Sequence, residues 1–144
     1  MVKEMFIIII LLVLLWLALE ARDAHSEATE HIYRTIAYEA SDQGQVGMNA
    51  VANVIYTRSI KRQLSPNAIV FQPHQFKCWK NGKPTQDRAL TSREIVMAKQ
   101  AWEQAYHWPY DHYYLIGSTP YWAVTRYIEK TLLINDHIFV KLKG

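Results

Sequence analysis

The alternation of apolar and polar positions divides the chain into stretches of different character. Met5 to Leu19 reads MFIIIILLVLLWLAL, fifteen residues without a charge, preceded by Lys3. As a helix this run spans roughly 22 Å, less than the ~30 Å hydrocarbon core of a bilayer. It is a targeting or anchoring segment, not core. Small residues at Ala24 and Ser26, and again at Ser26 and Ala28, provide the spacing a signal peptidase needs. Two readings stay open, a removed signal peptide or a retained anchor with its amino end inside. Under both, residues 1–26 stand apart from an exported domain over residues 27–144.

Within that domain, Ile32, Ile36 and Ala40 fall at successive i+4 steps with Tyr33 and Ala37 beside them, which predicts a helix over Glu30–Ala40 with one apolar stripe. SDQGQVG then carries Gly44 and Gly47 and reads as a helix stop or a mobile connection. A second helix, roughly Met48 to Lys61, holds Ala50, Val51, Ala52, Val54 and Ile55 with few charges before Arg58; it is expected to be buried on most sides. Pro66, Pro73, Gly82 and Pro84 argue for extended pieces and turns in the next stretch.

Thr91 with Glu94 three residues on is a capping-box signature, opening a helix expected over Ser92–Tyr106 and closed by Pro109. In the last third, Tyr113–Ile116 and Ile138–Leu142 read as strands flanking a helical or irregular piece centred on Trp122. The sum is one α+β domain, mainly helical with a small sheet.

Composition adds bounds. The chain has 144 residues and is 50% hydrophobic, ample for one packed core. Residues 27–144 carry fourteen basic and ten acidic side chains, a net +4. That modest excess suits an anionic polymer such as cell-wall glycan and is too weak to indicate nucleic acid. Cys78 is the only cysteine, so the domain has no intrachain disulfide and stands on its core. The histidines show no HExxH or other tight ligand spacing, and neither metal nor cofactor is expected.

Among the carboxylates, Glu94 reads as a cap, Glu103 and Glu129 as members of solvated helical contexts, and Asp87 and Asp111 as neighbours of turn residues. Glu39 differs. Its neighbours Ile36, Ala37, Tyr38 and Ala40 are apolar or aromatic, and a glycine-bearing bend follows. It is either an ordinary helix-end glutamate or a partly desolvated general acid for a glycosidic oxygen. The aromatic run from Tyr106 to Trp122 supplies either flat faces for sugar rings or core.

AYEA followed by a glycine and AVANVIYTR, then VFQPHQFKCW, YY, STPYWA and INDHIF, resembles the SleB-type cell wall hydrolases, spore-cortex-lytic enzymes also found in bacteriophages. The similarity runs from about Thr35 to Phe139. It implies a lysozyme-like α+β fold and cleavage of peptidoglycan as a lytic transglycosylase or muramidase, between N-acetylmuramic acid and N-acetylglucosamine. The family's catalytic glutamate falls on Glu39. The family's QPxQF element places Gln72, Gln75 and Phe76 along the glycan cleft or against Glu39, and Tyr113, Tyr114 and Trp122 join them as expected substrate contacts. Three departures stand out: Tyr38 replaces the glycine before the glutamate, Gln43 replaces an acid four positions after it, and Asn135 replaces the glycine of a terminal IGNHxF pattern. With Gln43 there, a one-carboxylate transglycosylase route is favoured over a two-carboxylate hydrolase, for which Asp42 is the nearest second acid in sequence.

The expected partner is therefore the peptidoglycan glycan strand, met by a monomer in the periplasm, in the wall or on the extracytoplasmic face of the inner membrane, with a membrane tether if the first segment is kept. Two other classes compete. A zinc-dependent amidase would require converging metal ligands, and a non-catalytic wall-binding or lysis-associated membrane protein would tolerate loss of Glu39. Spore germination, wall remodelling and a phage endolysin role are equally compatible with the residues.

Overall fold

A computed structural model describes residues 2–86, 88–118 and 128–143, with the backbone alone for residues 2–4, 23–25, 115 and 130. The element order is α1 (Val2–Ala40), a 3-10 turn (Ser41–Gln43), α2 (Gly44–Arg62), α3 (Pro66–Val70), β1 (Trp79–Lys80), β2 (Lys83–Pro84), α4 (Ser92–Glu103), β3 (His112–Leu115), β4 (Ile128–Ile134) and β5 (His137–Leu142).

The expected apolar stripe of the first domain helix is present: Ile32, Ile36, Ala37 and Ala40 are buried. The helix itself begins much earlier, because the apolar segment and the domain stripe share one α1. The bend between α1 and α2 is shorter than the seven-residue connection expected. Gly44 turns the chain at φ +66°, a left-handed conformation cheap for glycine, so α2 starts at Gly44 and not near Met48. Gly47 lets the turn close tightly, since a Cβ there would collide with the Gln43 side chain.

α2 is the centre of the domain. Met48, Val51 and Ile55 pack with Ile32 and Ile36 of α1, Ile69 and Val70 of α3, and Ala98 and Ala101 of α4. Ala50 and Val54 pack with Trp108 and Phe139 on the sheet side. Each fully buried aliphatic side chain of this kind contributes about 1.5–3 kcal/mol, and α2 has them toward both layers.

The capping box of α4 forms as expected: the Thr91 hydroxyl accepts from the Glu94 N–H at 3.2 Å and the Glu94 carboxylate accepts from the Thr91 N–H at 2.8 Å. The helix stops at Glu103, before the expected Tyr106 and well before Pro109. Two polar residues of α2 explain this. Asn53 Oδ1 takes the Tyr106 N–H at 2.9 Å, and Thr57 Oγ1 takes the Trp108 N–H at 3.1 Å. Tyr106 and Trp108 thereby bond to α2 and not to α4.

β3, β5 and β4 form an antiparallel sheet in that spatial order, with Tyr113 opposite Phe139 and Leu132 opposite Phe139 on the other side. β4 corrects the reading of Glu129, which lies on this strand and not on a helix. Its carboxylate pairs with Lys141 of β5 at 3.0 Å, an opposite-charge cross-strand contact that suits an exposed sheet face. Trp122 and Asp87 lie outside the described residues.

Candidate active site

Glu39 sits in the last turn of α1 and lines a cleft of ≈ 990 Å³ shared with Asp42, Arg58, Arg62, Gln75, Arg88, Glu94, His112, Tyr113, Tyr114 and His137. Its Oε2 accepts from the Tyr113 hydroxyl at 2.9 Å, and its Oε1 accepts from the Cys78 N–H at 3.4 Å. The first is a full hydrogen bond and the second a long one.

Both partners are held from elsewhere. Tyr113 lies on β3 and stacks against His137 and Phe139 with ring centroids 5.5 and 5.4 Å away. Cys78 is placed by its neighbour Trp79, whose indole N–H donates to Thr35 Oγ1 at 2.7 Å. Thr35 and Glu39 are one turn apart on α1, so the Cys78–Trp79 pair docks on one helix face at two points. Phe71 and His31 pack edge-on around Trp79, at 5.0 and 5.6 Å. Phe71, Cys78 and Trp79 of VFQPHQFKCW thus cover the last turns of α1.

Arg58 of α2 adds a buried cation. It is 5% exposed, donates from Nε to the Asp111 carbonyl at 2.6 Å, and lies over the Phe76 ring 5.3 Å from its centroid. Its Nη1 has no partner among the described residues. Burial lowers its pKa to about 10, although Tyr113, Asp111 and Glu39 oppose that shift; it remains a cation at neutral pH. Burial, reinforced by the nearby Glu39 charge, raises the Tyr113 hydroxyl well above its usual range, so it stays protonated and able to donate. Burial and Glu39 likewise push the Cys78 thiol far up, which leaves it unsuited to act as a nucleophile.

The other carboxylates of the cleft are engaged. Glu94 serves the α4 cap and meets Arg88 at 2.8 Å; backbone donation from Thr91 leads the causes that lower its pKa to about 2, with Arg88 assisting. Asp42 accepts from Gln43 Nε2 at 3.1 Å. Gln43 also reaches the β4–β5 turn, accepting from the Asp136 N–H at 3.1 Å while Asn135 Nδ2 donates to the Gln43 carbonyl at 2.9 Å. Outside the cleft lining, Asp111 is held by Lys61 at 2.8 Å and His112 at 2.9 Å.

Of the expected contact residues, Gln75, Tyr113 and Tyr114 line the cleft. Gln72 accepts from Arg62, and Gln75 accepts from the same guanidinium at 3.2 Å, so both glutamines fix a cleft arginine. Phe76 is buried beneath Arg58. Trp122 falls outside the described residues. Arg58, Arg62 and Arg88 are additions to the expected set; the available signal is Arg58, the first charged residue of α2, one turn beyond Val54. Among the described residues, no group of three or more His, Cys, Asp or Glu side chains is placed to hold a metal ion.

The fold has solved counterparts. The catalytic domain of Bacillus cereus SleB superimposes with a TM-score of 0.58 at 21% identity, covering 80% of this chain and 91% of that one. The catalytic domain of the germination-specific lytic transglycosylase SleB from Bacillus anthracis gives 0.60 at 20% identity, covering 79% and 93%. No curated protein matches the sequence significantly. The family profile described as Cell Wall Hydrolase matches residues 42–140, well over half the chain and every cleft element after α1. On that match, and with a SleB-like fold around the cleft, the chain belongs to the SleB-type cell wall hydrolase family and is an enzyme of that class.

Proposed function

We propose that the protein cleaves the glycan strand of peptidoglycan as a lytic transglycosylase, with Glu39 as its acid and base, at an extracytoplasmic site in the periplasm, the wall or the outer face of the inner membrane. The observation that carries this reading is the contrast among the cleft carboxylates: Glu39 meets two uncharged donors, while Glu94 is ion-paired and capping and Asp42 is bonded within its own turn. The family match and the fold shared with a protein described as a lytic transglycosylase support it.

In the first step the protonated Glu39 gives its proton to the bridging oxygen as the bond from that oxygen to the muramic C1 breaks. The substrate's acetamido group stabilises the cationic centre. In the second step the Glu39 carboxylate takes the proton of the muramic 6-hydroxyl as that oxygen bonds to C1, closing a 1,6-anhydro ring without water. Tyr113 suits both steps, because a phenol donates to the carboxylate and accepts from the carboxylic acid. Gln75 and Tyr114 contact the strand, while Gln72 and Phe76 act through Arg62 and Arg58.

The test is mass spectrometry of fragments released from purified peptidoglycan by the detergent-solubilised full chain and by Glu39→Gln. Ends in 1,6-anhydro-muramic acid, missing with the variant, are expected. Reducing ends would assign a hydrolytic muramidase or glucosaminidase, with Asp42 the second acid to examine; free peptide stems would assign an amidase, for which the described residues offer no ligand set. Binding without cleavage would leave a wall-binding protein.

A further inference from the structure

From Met5 to Leu19 every large side chain of α1 is exposed, between 49% and 66%. Fifteen uncharged residues therefore stand clear of the domain, apolar on all faces. Such a helix has no seam for one protein partner and suits hydrocarbon. Its length and composition are sufficient for a membrane span. At roughly 22 Å the uncharged run is shorter than the ~30 Å hydrocarbon core, a mismatch that local thinning and the long flanking side chains absorb. Lys3 and Arg22 flank the run, and Trp16 lies near its outer end, where an indole favours the interface.

Continuity is the second observation. Neither glycine nor proline occurs before Gly44, and α1 runs unbroken from Val2 to Ala40. The small residues Ala24, Ser26 and Ala28 lie inside that helix, whereas a peptidase takes its substrate as extended backbone. Burial in the domain begins only at Ile32, and Glu39 occupies the final turn.

We infer that the apolar segment is retained as a bilayer anchor and that α1 is a single stiff arm joining the lipid to the catalytic carboxylate. Leu19 and Glu39 are twenty residues apart, which sets the cleft no more than about 30 Å beyond the end of the anchor. An enzyme so held addresses the glycan strands nearest the membrane. That substrate choice rests on the proposed function; the anchor and the arm do not.

The test uses the full chain produced in a bacterium and then reconstituted in phosphatidylethanolamine–phosphatidylglycerol nanodiscs. Carbonate-washed membranes are expected to retain the protein with residues 1–26 intact by mass. Energy transfer from a dye on Ser118→Cys, an exposed position, to headgroup acceptors then reads the height of the cleft. Cys78 is buried and does not compete for the dye. Seven helix-forming residues inserted after Arg22 add about 10 Å and come within about 20° of two full turns, so the height is expected to rise by about that amount, and a Gly/Ser insertion of equal length to give a smaller, broadened change. A carbonate-soluble chain beginning near residues 25–29 would overturn the anchor, and equal responses to both insertions would overturn the stiff arm. Neither readout depends on glycan cleavage.

Discussion

Glu39 and Glu94 line the same cleft, yet the hydrogen bonds of one come from neutral groups and those of the other from a cation and a helix start. Glu94 accepts from Arg88 and from both the hydroxyl and the N–H of Thr91, contacts that all favour its charged form and end its usefulness as a proton donor near neutral pH. Glu39 accepts from a phenol and a single backbone amide, and the phenol serves either protonation state. The difference shows how one fold separates a carboxylate that holds structure from one that can move a proton: the first is tied to a guanidinium and the N–H of a helix cap, which can only donate, and the second has as its shortest bond a phenol that can also accept.

The largest effect expected from breaking that contrast is at Glu39 itself. Glu39→Gln keeps the shape and the Tyr113 contact but removes the proton, and kcat on peptidoglycan is expected to fall roughly a thousandfold, within the range for a general acid, with little change in melting temperature. Residual activity within tenfold of wild type would remove Glu39 from the mechanism. Tyr113→Phe comes next. Losing a hydrogen bond to a charged group is worth about 1.5–3 kcal/mol, so a fall of roughly 10- to 100-fold is expected in kcat, with KM nearly constant. A kcat within twofold of wild type would make Tyr113 a packing residue.

Much of the helical half is legible in the amino-acid sequence, because its signals are local. The Ile32–Ile36–Ala40 stripe, the apolar run of α2 and the Thr91–Glu94 box all lie within a few turns of chain. The features that are not legible there are set by distant partners. α4 ends early because Asn53 and Thr57 claim the amides of Tyr106 and Trp108, residues more than fifty positions away. β4 is hidden because Glu129 and Lys130 interrupt its apolar pattern, and its pairing with β5 becomes visible only in three dimensions. At the site, Glu39 carries a sequence signal through its neighbours and the family resemblance, but its bond to Tyr113 spans 74 positions. Arg58 reads in sequence as the charge that ends an apolar run, not as a buried cation beneath the cleft.

Acid sharpens the comparison through stability. Glu94, with its pKa lowered to about 2, favours the fold above the ordinary glutamate range and loses that contribution as pH falls from about 4.5 toward 2. Asp111 acts in the same direction: burial alone would raise its pKa, but His112 and Lys61 hold it well below the carboxylate range. His137 begins earlier, since burial lowers its pKa despite Asp42, Glu39 and Asp136; the unfolded chain takes up that proton first, and stability declines as pH drops below about 6.5. Denaturant midpoints are expected to decrease steadily from pH 7 to pH 3, and Glu94→Gln to flatten the lower part of that curve. A midpoint rising toward acid would contradict the sign for all three groups. At neutral pH, Thr91→Ala is expected to cost about 1 kcal/mol, the usual value of an N-cap, with kcat unchanged because the Glu39 surroundings are untouched.

The smallest effect is expected at Asn135, where two contributions oppose one another. Its φ of +50° lies in the left-handed region, which asparagine tolerates and glycine adopts freely. Asn135→Gly relieves that local cost and removes the exposed bond from Nδ2 to the Gln43 carbonyl, worth about 0.5–1.5 kcal/mol; the added freedom of the unfolded glycine subtracts a little more. The sum is a loss of about 1 kcal/mol or less, a shift of only a few degrees in melting temperature. The Asp136 N–H still reaches Gln43 Oε1 and Gln43 Nε2 still donates to the Asp136 carboxylate at 3.4 Å, so the turn bearing Asp42 keeps these two ties to the sheet, and turnover is expected to stay within twofold of wild type. Hydrogen exchange reads the outcome directly. Faster exchange confined to the residues around Gln43 and Asp136 would place the effect in this clasp, whereas loosening that reached Tyr113 would show that the clasp also steadies the Glu39 side of the cleft.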